Sequence, residues 1–360
     1  MYPEICRIQL DTQQTLMKKK LALKQRSLTI TYSLIAFGIC VLLGLGLVLS
    51  NRQNYATPVP VTATIQIPTA TSIPLPDTIE EIKSDCSKGE CIQACMAHVN
   101  RVIQEKEFQL PEYHSDDFDL VYYGISESDD LEKPRNFDVS GDLLALQKNV
   151  DAHKLIWSYF KELFPGETRP NLVTFGIYVS STSDGKFDTT VTENWIMKIN
   201  VLSLEDAYYL SSASVHEYAH YLTLNATQRD KERDKWGSCK QQPLYYCQTP
   251  DSYLNLFYVE FWADIYPEWT DIDPYSAKYE NVIQMFYEKY KDRFINDYAA
   301  TDPIEDVAES WTAFVLEPVP SGDTVAEQKV RFFYQVPELV QLRYQIIKSM
   351  CTFTGIPQDQ

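Results

Sequence analysis

Glycine, histidine and positive charge are all scarce in this chain of 360 residues. It has 12 Gly and five His, and 32 Lys and Arg against 50 Asp and Glu give a net charge of −18. So few glycines exclude collagen-like and glycine-rich architectures. A chain this acidic is a poor candidate for a nucleic-acid binder, because phosphate binding requires clustered cations, so we expect no nucleic acid partner. The 44% hydrophobic content is typical of a globular protein.

The N-terminal region is the exception, because it is basic and then strongly apolar. Residues 1–26 contain six Lys or Arg and two acids, whereas residues 27–51 carry no formal charge. An apolar run of about 20 residues spans a bilayer as a helix. The positive-inside rule then predicts a cytoplasmic tail at 1–26, a single membrane helix at 27–51, and an extracellular remainder. A cleaved signal peptide is the alternative, although its apolar region is normally shorter, about 7–15 residues.

A segment rich in Thr and Pro follows the apolar run. Residues 52–78 alternate Pro and Thr with small apolar side chains, which cannot bury a core and favour an extended stalk. The folded domain is therefore predicted at 79–360, outside the cytoplasm. Its length suits one large domain or two lobes.

Six of the eight cysteines lie in the predicted extracytoplasmic domain. An even number on that side of the membrane favours disulfides. Cys239 and Cys247 flank a short polar loop and form the best candidate pair, and Cys351 is expected to connect to the Cys86–Cys95 cluster. A metal site at that cluster is the alternative, but the cluster lacks the paired CxxC spacing of zinc sites.

Several segments predict regular structure. Helices are expected near Cys91–Glu107 and Asp142–Phe164, a strand at Leu120–Ile125, and core-forming helical segments within Val325–Lys348. Two strand-like runs, Leu172–Ser180 and Glu193–Leu202, precede a longer helical segment. That segment is predicted to begin with a capping box of Ser203 and Asp206 and to end at Asn225.

The long helical segment carries the most informative motif, His216-Glu217-Tyr-Ala-His220. Two histidines four residues apart share one face of a helix. Two imidazoles in this position can bind a single Zn²⁺, and Glu217 beside them can act as general base for the attacking water. This is the HExxH arrangement of zinc peptidases.

Two histidines leave a third ligand to be found. The extended form HExxHxxGxxH is absent, because Thr223 and Ala226 stand where it requires Gly and His. The three remaining histidines all lie upstream and are expected to be surface or core residues: His98, His114 and His153. The third ligand is therefore expected to be a downstream acid, which would complete a His₂Glu set.

Two downstream acids compete for this role. Glu260 is followed one helical turn later by Asp264, which could support it as an outer acid. Glu305 follows Asp302 and Pro303, which are typical of the N-cap and first position of a helix, so it could equally be a capping carboxylate. The residues alone leave both acids open.

A resemblance to a known family favours one of them. The HExxH motif followed by Asp297-Tyr-Ala-Ala-Thr-Asp-Pro-Ile-Glu-Asp-Val-Ala-Glu309 resembles the gluzincin metallopeptidases, and among them the lethal-factor-like branch and a group of bacterial zinc-binding metallopeptidases. The second motif of that branch has the form Tyr-x-x-Thr-x-x-x-Glu-x-x-Ala-Glu. The resemblance covers about 110 residues, from Ser203 to Phe314. It departs from the toxin branch in the 84 residues between His220 and Glu305, which form a longer insert.

The resemblance implies a role for each matching residue. Glu305 would join His216 and His220 as the third zinc ligand. Glu309 would support a ligand from outside the coordination sphere. Tyr298 would face the zinc and assist the transition state.

The resemblance also implies a fold and an activity. The fold would be α+β and zincin-like, helix-rich, with a small mixed sheet beside the HExxH helix. The apolar run at 27–51 adds one transmembrane helix before it. The function would be that of a zinc metallopeptidase with Zn²⁺ as cofactor and a peptide or protein as substrate. Together with the predicted membrane helix, this gives a membrane-anchored extracytoplasmic enzyme. A non-catalytic cell-surface binding protein that retains the zinc site is the alternative.

Overall fold

The computed structural model describes residues 90–111, 113, 117–181, 185–189, 194–231, 247–273, 276 and 278–355. All of them belong to a single structural unit within residues 73–360. The predicted cytoplasmic tail, membrane helix and stalk lie outside the described residues. Among the described helices, none combines the length and apolar character needed to cross a membrane.

A small mixed sheet forms one side of the fold. Its strands are β1 Phe118–Ile125, β2 Leu131–Asn136, β3 Leu172–Val179, β4 Gly185–Thr189 and β5 Trp195–Asn200. They pair in the order β2-β1-β3-β5-β4, with β3 and β5 parallel and every other neighbouring pair antiparallel. The predicted strands at β1, β3 and β5 are confirmed within a few residues. The aromatic and β-branched side chains of β3 that fill the core explain its clear signal.

Two strands have no clear sequence signal, and both lie at the edges of the sheet. Strand β2 contains Pro134, which has no N–H to donate to a ladder and is tolerated at a sheet edge. Strand β4 is only five residues long and begins with Gly185. Edge strands need less apolar alternation than central ones, so the sequence did not predict them.

Helices are the main regular structure of the described residues. They are α1 Glu90–Gln104, α2 Asp142–Lys148, α3 Val150–Leu163, α4 Ala207–Leu224, α5 Tyr253–Phe261, α6 Tyr266–Trp269, α7 Tyr279–Lys289, α8 Pro303–Leu316, α9 Val325–Tyr334 and α10 Pro337–Thr352. With the sheet, they establish a helix-rich α+β fold, as predicted. Its core includes tightly packed aromatic side chains from α5, α8 and α9 and the turn after α5: Phe257, Trp262, Trp311, Phe314 and Phe333.

The predicted start of α4 was wrong by three residues. Residues Val201–Glu205 form a separate 3₁₀ turn, capped by Asn200, whose side chain accepts a hydrogen bond from the N–H of Leu202. The N-cap of α4 is Asp206, whose Oδ1 accepts from the N–H of Tyr208 at 2.7 Å. The predicted end at Asn225 is confirmed.

Two predicted helical runs are each divided in two. The run from Asp142 to Phe164 breaks at Asn149, because its side chain accepts from the N–H of Ala152 and starts a new helix. The run from Val325 to Lys348 breaks before Pro337, which cannot continue a helix as an interior residue but suits the first position of α10.

Disulfides confirm one cysteine prediction. Cys351 at the end of α10 is bonded to Cys95 on α1, as expected from its predicted link to the N-terminal cluster. Cys91 and Cys247 are also disulfide-bonded. Because the sulfurs of Cys91 and Cys95 are oxidised, the alternative metal site at this cluster is excluded. Cys239, the predicted partner of Cys247, lies outside the described residues.

Two of the three upstream histidines serve the fold, and His114 lies outside the described residues. His98 contacts the carbonyl of Phe353 at 2.7 Å. His153 is fully buried, with Nδ1 2.9 Å from the hydroxyl of Tyr123 and Nε2 3.0 Å from the carbonyl of Leu146. A ring that accepts from a hydroxyl and donates to a carbonyl is neutral. Burial accordingly lowers the pKa of His153 to about 4.

We predict that His153 makes the fold acid-sensitive. Its lowered pKa contributes stability that is fully present above pH 6.5 and is lost as the pH falls towards 4, about 3 kcal/mol in total. Urea unfolding at pH 7.5 and pH 4 measures this loss. In His153→Gln, which does not titrate, the difference between the two pH values should shrink by about that amount. An equal pH dependence in both proteins would contradict the prediction.

Candidate metal centre

Helix α4 places His216 and His220 one turn apart in the interior. The helix is buried around most of its circumference, and the two histidines are 9% and 8% exposed. Their rings lie 4.9 Å apart between centroids, and their Nε2 atoms are 3.1 Å apart. The i, i+4 spacing therefore directs both Nε2 atoms to one point, as the sequence predicts.

Helix α8 brings a carboxylate to the same point. The side chain of Asp302 accepts from the N–H of Ile304 at 2.8 Å, and Pro303 occupies the first turn, so the predicted cap is confirmed. Glu305 does not serve as the cap. Its Oε2 lies 3.2 Å from Nε2 of His216 and 3.4 Å from Nε2 of His220.

The three atoms have the spacing of ligands around one small cation. All three residues offer a ligand atom within 4.8 Å of the others. The separations of 3.1, 3.2 and 3.4 Å match the edge of a tetrahedron of about 3.3 Å, which ligands at about 2.0–2.2 Å from Zn²⁺ would form. Two nitrogens and one oxygen leave one tetrahedral position for water or substrate. The residues therefore fit a metal ion that keeps one open position.

Glu309, one turn further along α8, holds His216 from the other side. Its Oε1 lies 2.8 Å from Nδ1 of His216. Its Oε2 accepts a hydrogen bond from Nδ2 of Asn296 at 2.7 Å. A carboxylate at Nδ1 keeps the proton there and leaves Nε2 available as a ligand.

The charges of the cluster are strongly coupled. Burial alone would lower the pKa of His216, but hydrogen bonds to Glu305 and Glu309 raise it to about 10. Burial would likewise raise the pKa of Glu305, yet the two imidazoles hold it well below its usual range. A metal ion binding here must displace the imidazole proton, so metal affinity should depend on pH.

Glu217 is buried beside the cluster. It is 5% exposed, and burial raises the pKa of its carboxyl group. Its Oε2 has no hydrogen-bond partner among the described atoms. Gly185 of strand β4 lies directly against this side chain. A Cβ at position 185 would be 2.6 Å from Cγ and 2.7 Å from Oε1 of Glu217. A buried carboxylate with a free oxygen can accept a proton from a reactant.

Tyr298 borders the cluster from the solvent side. It is 50% exposed, and its ring centroid lies 6.0 Å from that of His216. Burial of its hydroxyl and the nearby carboxylates of Glu305 and Glu217 raise its pKa well above the usual range. The hydroxyl therefore keeps its proton, and it donates a hydrogen bond to the carboxylate of Glu305.

The competing acid, Glu260, does not join the imidazoles. It is exposed on α5, and the metal-binding group includes Glu305 instead. Asp264, the expected outer acid of that alternative, pairs with Arg293 through two contacts of 2.8 Å. The geometry thus favours Glu305 where the residue pattern left both acids open.

Two residues at the centre were not predicted from the sequence. Gly185 lies against Glu217, and Asn296 contacts Glu309. Both roles depend on tertiary contacts, so no local pattern indicates them. For Asn296, its position two residues before Tyr298 was the only available hint.

Comparisons with known proteins identify no relative. No protein-family model, curated protein or solved structure matches the chain. What the site does is therefore inferred from its own residues and distances.

We predict that metal binding requires Glu305 and not Glu260. Dialysis against Zn²⁺ followed by metal analysis should find about one ion per chain in the wild type and in Glu260→Gln. Glu305→Gln should bind at least about 100-fold more weakly, because it loses a direct ligand rather than an outer one. Equal binding by Glu305→Gln and the wild type would exclude the proposed ligand set.

Proposed function

We propose that the chain is a zinc-dependent metallopeptidase with a zincin-like site that hydrolyses peptide bonds. The observation that carries this proposal is the convergence of two Nε2 atoms and one carboxylate oxygen within 3.4 Å, beside the buried Glu217. The helix-rich α+β fold, with β4 packed against the HExxH helix, supports it.

The donor set favours zinc over harder cations. Imidazole nitrogens suit Zn²⁺, whereas Mg²⁺ and Ca²⁺ prefer oxygen ligands alone. Two His and one Glu with an open position are the ligands of several zinc peptidases. Zinc bound by His216, His220 and Glu305 would polarise the scissile carbonyl and make water more acidic.

Glu217 would move the proton. Its Oε2 would take a proton from the attacking water and deliver it to the nitrogen of the leaving amine. Burial raises the pKa of Glu217 and thereby makes its carboxylate a stronger base. Glu217 follows His216 on α4 but is not one of the three residues that could bind the metal. Its carboxylate would therefore not be used as a ligand.

Tyr298 would stabilise the developing negative charge. Its hydroxyl remains protonated and donates to Glu305, a partner that it would exchange for the carbonyl oxygen of a bound substrate. Donation of this O–H to the carbonyl oxygen as it becomes an oxyanion lowers the barrier, by about 3 kcal/mol for one well-placed donor.

We also propose that the enzyme is anchored in the cell membrane by residues 27–51, with its catalytic domain outside. The basic tail before that segment supports the orientation. The Cys95–Cys351 disulfide is consistent with an oxidising compartment. The substrate would then be an extracellular peptide or protein.

We predict that Glu217→Gln binds zinc as the wild type does but loses hydrolysis. The rate should fall by about 10²- to 10⁴-fold, because the amide cannot accept the proton. Casein degradation and metal content measure the two effects. Glu162→Gln is the control, since Glu162 is another acid whose pKa burial raises, but it is only partly buried and lies on α3.

Two results would contradict the proposal. Full activity in Glu217→Gln would exclude Glu217 as the general base. A wild type that binds zinc but cleaves neither casein nor a mixed peptide library would favour the alternative, a surface protein that retains the metal site without catalysis.

We further predict that Gly185→Ala impairs hydrolysis with little effect on zinc affinity. The new methyl group would meet the Glu217 side chain at 2.6 Å and displace its carboxylate, while the three ligands stay in place. A decrease of about 10²-fold in casein cleavage is expected for such a displacement. In the control Gly166→Ala, the new methyl group would lie 3.8 Å from the carboxyl of Asp129, an ordinary contact. Equal activity in both variants would contradict the prediction.

A further inference from the structure

Asn296 connects two parts of the candidate centre through one side-chain amide. Its Nδ2 donates to Oε2 of Glu309 at 2.7 Å, and its Oδ1 accepts from the N–H of Ala299 at 2.9 Å. Glu309 belongs to α8, whereas Ala299 lies in the 3₁₀ turn Tyr298–Ala300 that precedes it. Both ends of the amide are therefore used.

The first contact acts on the imidazole of His216. Glu309 has one oxygen at Nδ1 of His216, 2.8 Å away, and the other at Asn296. A carboxylate bonded through both oxygens cannot rotate freely, so the hydrogen bond at Nδ1 keeps its direction. The orientation of Nε2 towards Glu305 and His220 follows from that direction.

The second contact acts on the turn that carries Tyr298. The N–H of Ala299, the next residue, is held by Asn296, and the N–H groups of Ala300 and Thr301 bond within the turn. Because these bonds fix the backbone, they fix the point from which the Tyr298 side chain extends towards His216.

A turn-capping role alone would not explain an asparagine. The contact with Ala299 uses only Oδ1, and an aspartate would accept that N–H equally well. The contact with Glu309 requires a donor, because a carboxylate at position 296 would face another carboxylate. The amide is thus matched to both of its neighbours.

We propose that Asn296 is a positioning residue that sets His216 through Glu309 and Tyr298 through the Ala299 backbone. This inference rests on the proposed function, since it assumes that His216 binds a metal. It adds a connection that makes the metal ligand and the tyrosine depend on the same side chain.

The test reverses the direction of the hydrogen bond between residues 296 and 309, so that the donor becomes the acceptor. Asn296→Asp keeps the acceptor for Ala299 but sets two carboxylates against each other. Glu309→Gln alone sets two NH₂ groups against each other when its oxygen faces His216. In the double variant, the new glutamine can accept from His216 and donate to the new aspartate, so every hydrogen bond is restored.

Zn²⁺ affinity of the purified full chain, measured by competition with a chromogenic chelator, is the readout. Each single variant should bind about 10- to 100-fold more weakly than the wild type. The double variant should recover to within about 10-fold of the wild type, although it carries both changes. Asn255→Asp is the matched control, because Asn255 lies on α5 and its Nδ2 donates to the carbonyl of Pro250.

The possible outcomes are distinct. If the wild type binds no Zn²⁺, the metal centre itself is refuted and this inference fails with it. If the wild type binds Zn²⁺ and Asn296→Asp binds it equally well, the positioning role alone is refuted. The same holds if the losses of Zn²⁺ affinity in the two single variants simply add in the double variant. Thermal unfolding of the metal-free variants verifies that each is folded, since a general loss of structure would not be reversed by a second substitution.

Discussion

The candidate centre depends on the rotation of helix α8 about its axis. Glu305 faces the imidazoles of α4, and its neighbour Asp306 points to a different side of the helix, where it is fully buried. There Asp306 accepts hydrogen bonds from Nζ of Lys329 at 2.5 Å and from Nε1 of Trp262 at 2.6 Å. A buried carboxylate separated from its cation is costly, by about 3–5 kcal/mol. Because adjacent helical residues point about 100° apart, the pair that fixes Asp306 also fixes Glu305.

The other end of α8 is held by a second buried cation. Arg343 on α10 donates from Nε to the carbonyl of Phe314 and from Nη2 to that of Glu317. The last carbonyls of a helix have no partner within it and carry partial negative charge, so a guanidinium there both satisfies and neutralises them. Helix α10 is in turn tied to α1 by the Cys95–Cys351 disulfide. Helices α1 and α10, which have no proposed chemical role, thus help to determine the position of Glu305 and Glu309 on α8.

The parts of the site that could be predicted from the sequence are those that a single helix fixes. His216, Glu217 and His220 are related by helical periodicity alone, and Asp302 with Pro303 indicated the start of α8. The choice between Glu305 and Glu260 required either a family resemblance or the structure, because it depends on which helix packs against α4. The contacts of Gly185 and Asn296 cross between distant segments, and no local pattern encodes them. The start of α4 was misplaced because Asn200 caps a separate turn just before it.

Burial divides the candidate machinery into a fixed side and an open side. His216, Glu217 and His220 are each less than 10% exposed, whereas Tyr298 is 50% exposed. The proposed metal ligands and general base are enclosed by helices α4 and α8 and strand β4, and close packing leaves them little freedom. On the proposed function, a substrate would therefore reach the centre from the side of Tyr298. Because Tyr298 is exposed, hydrogen bonds rather than packing must set its position. Supplying one of those hydrogen bonds is the role that we infer for Asn296.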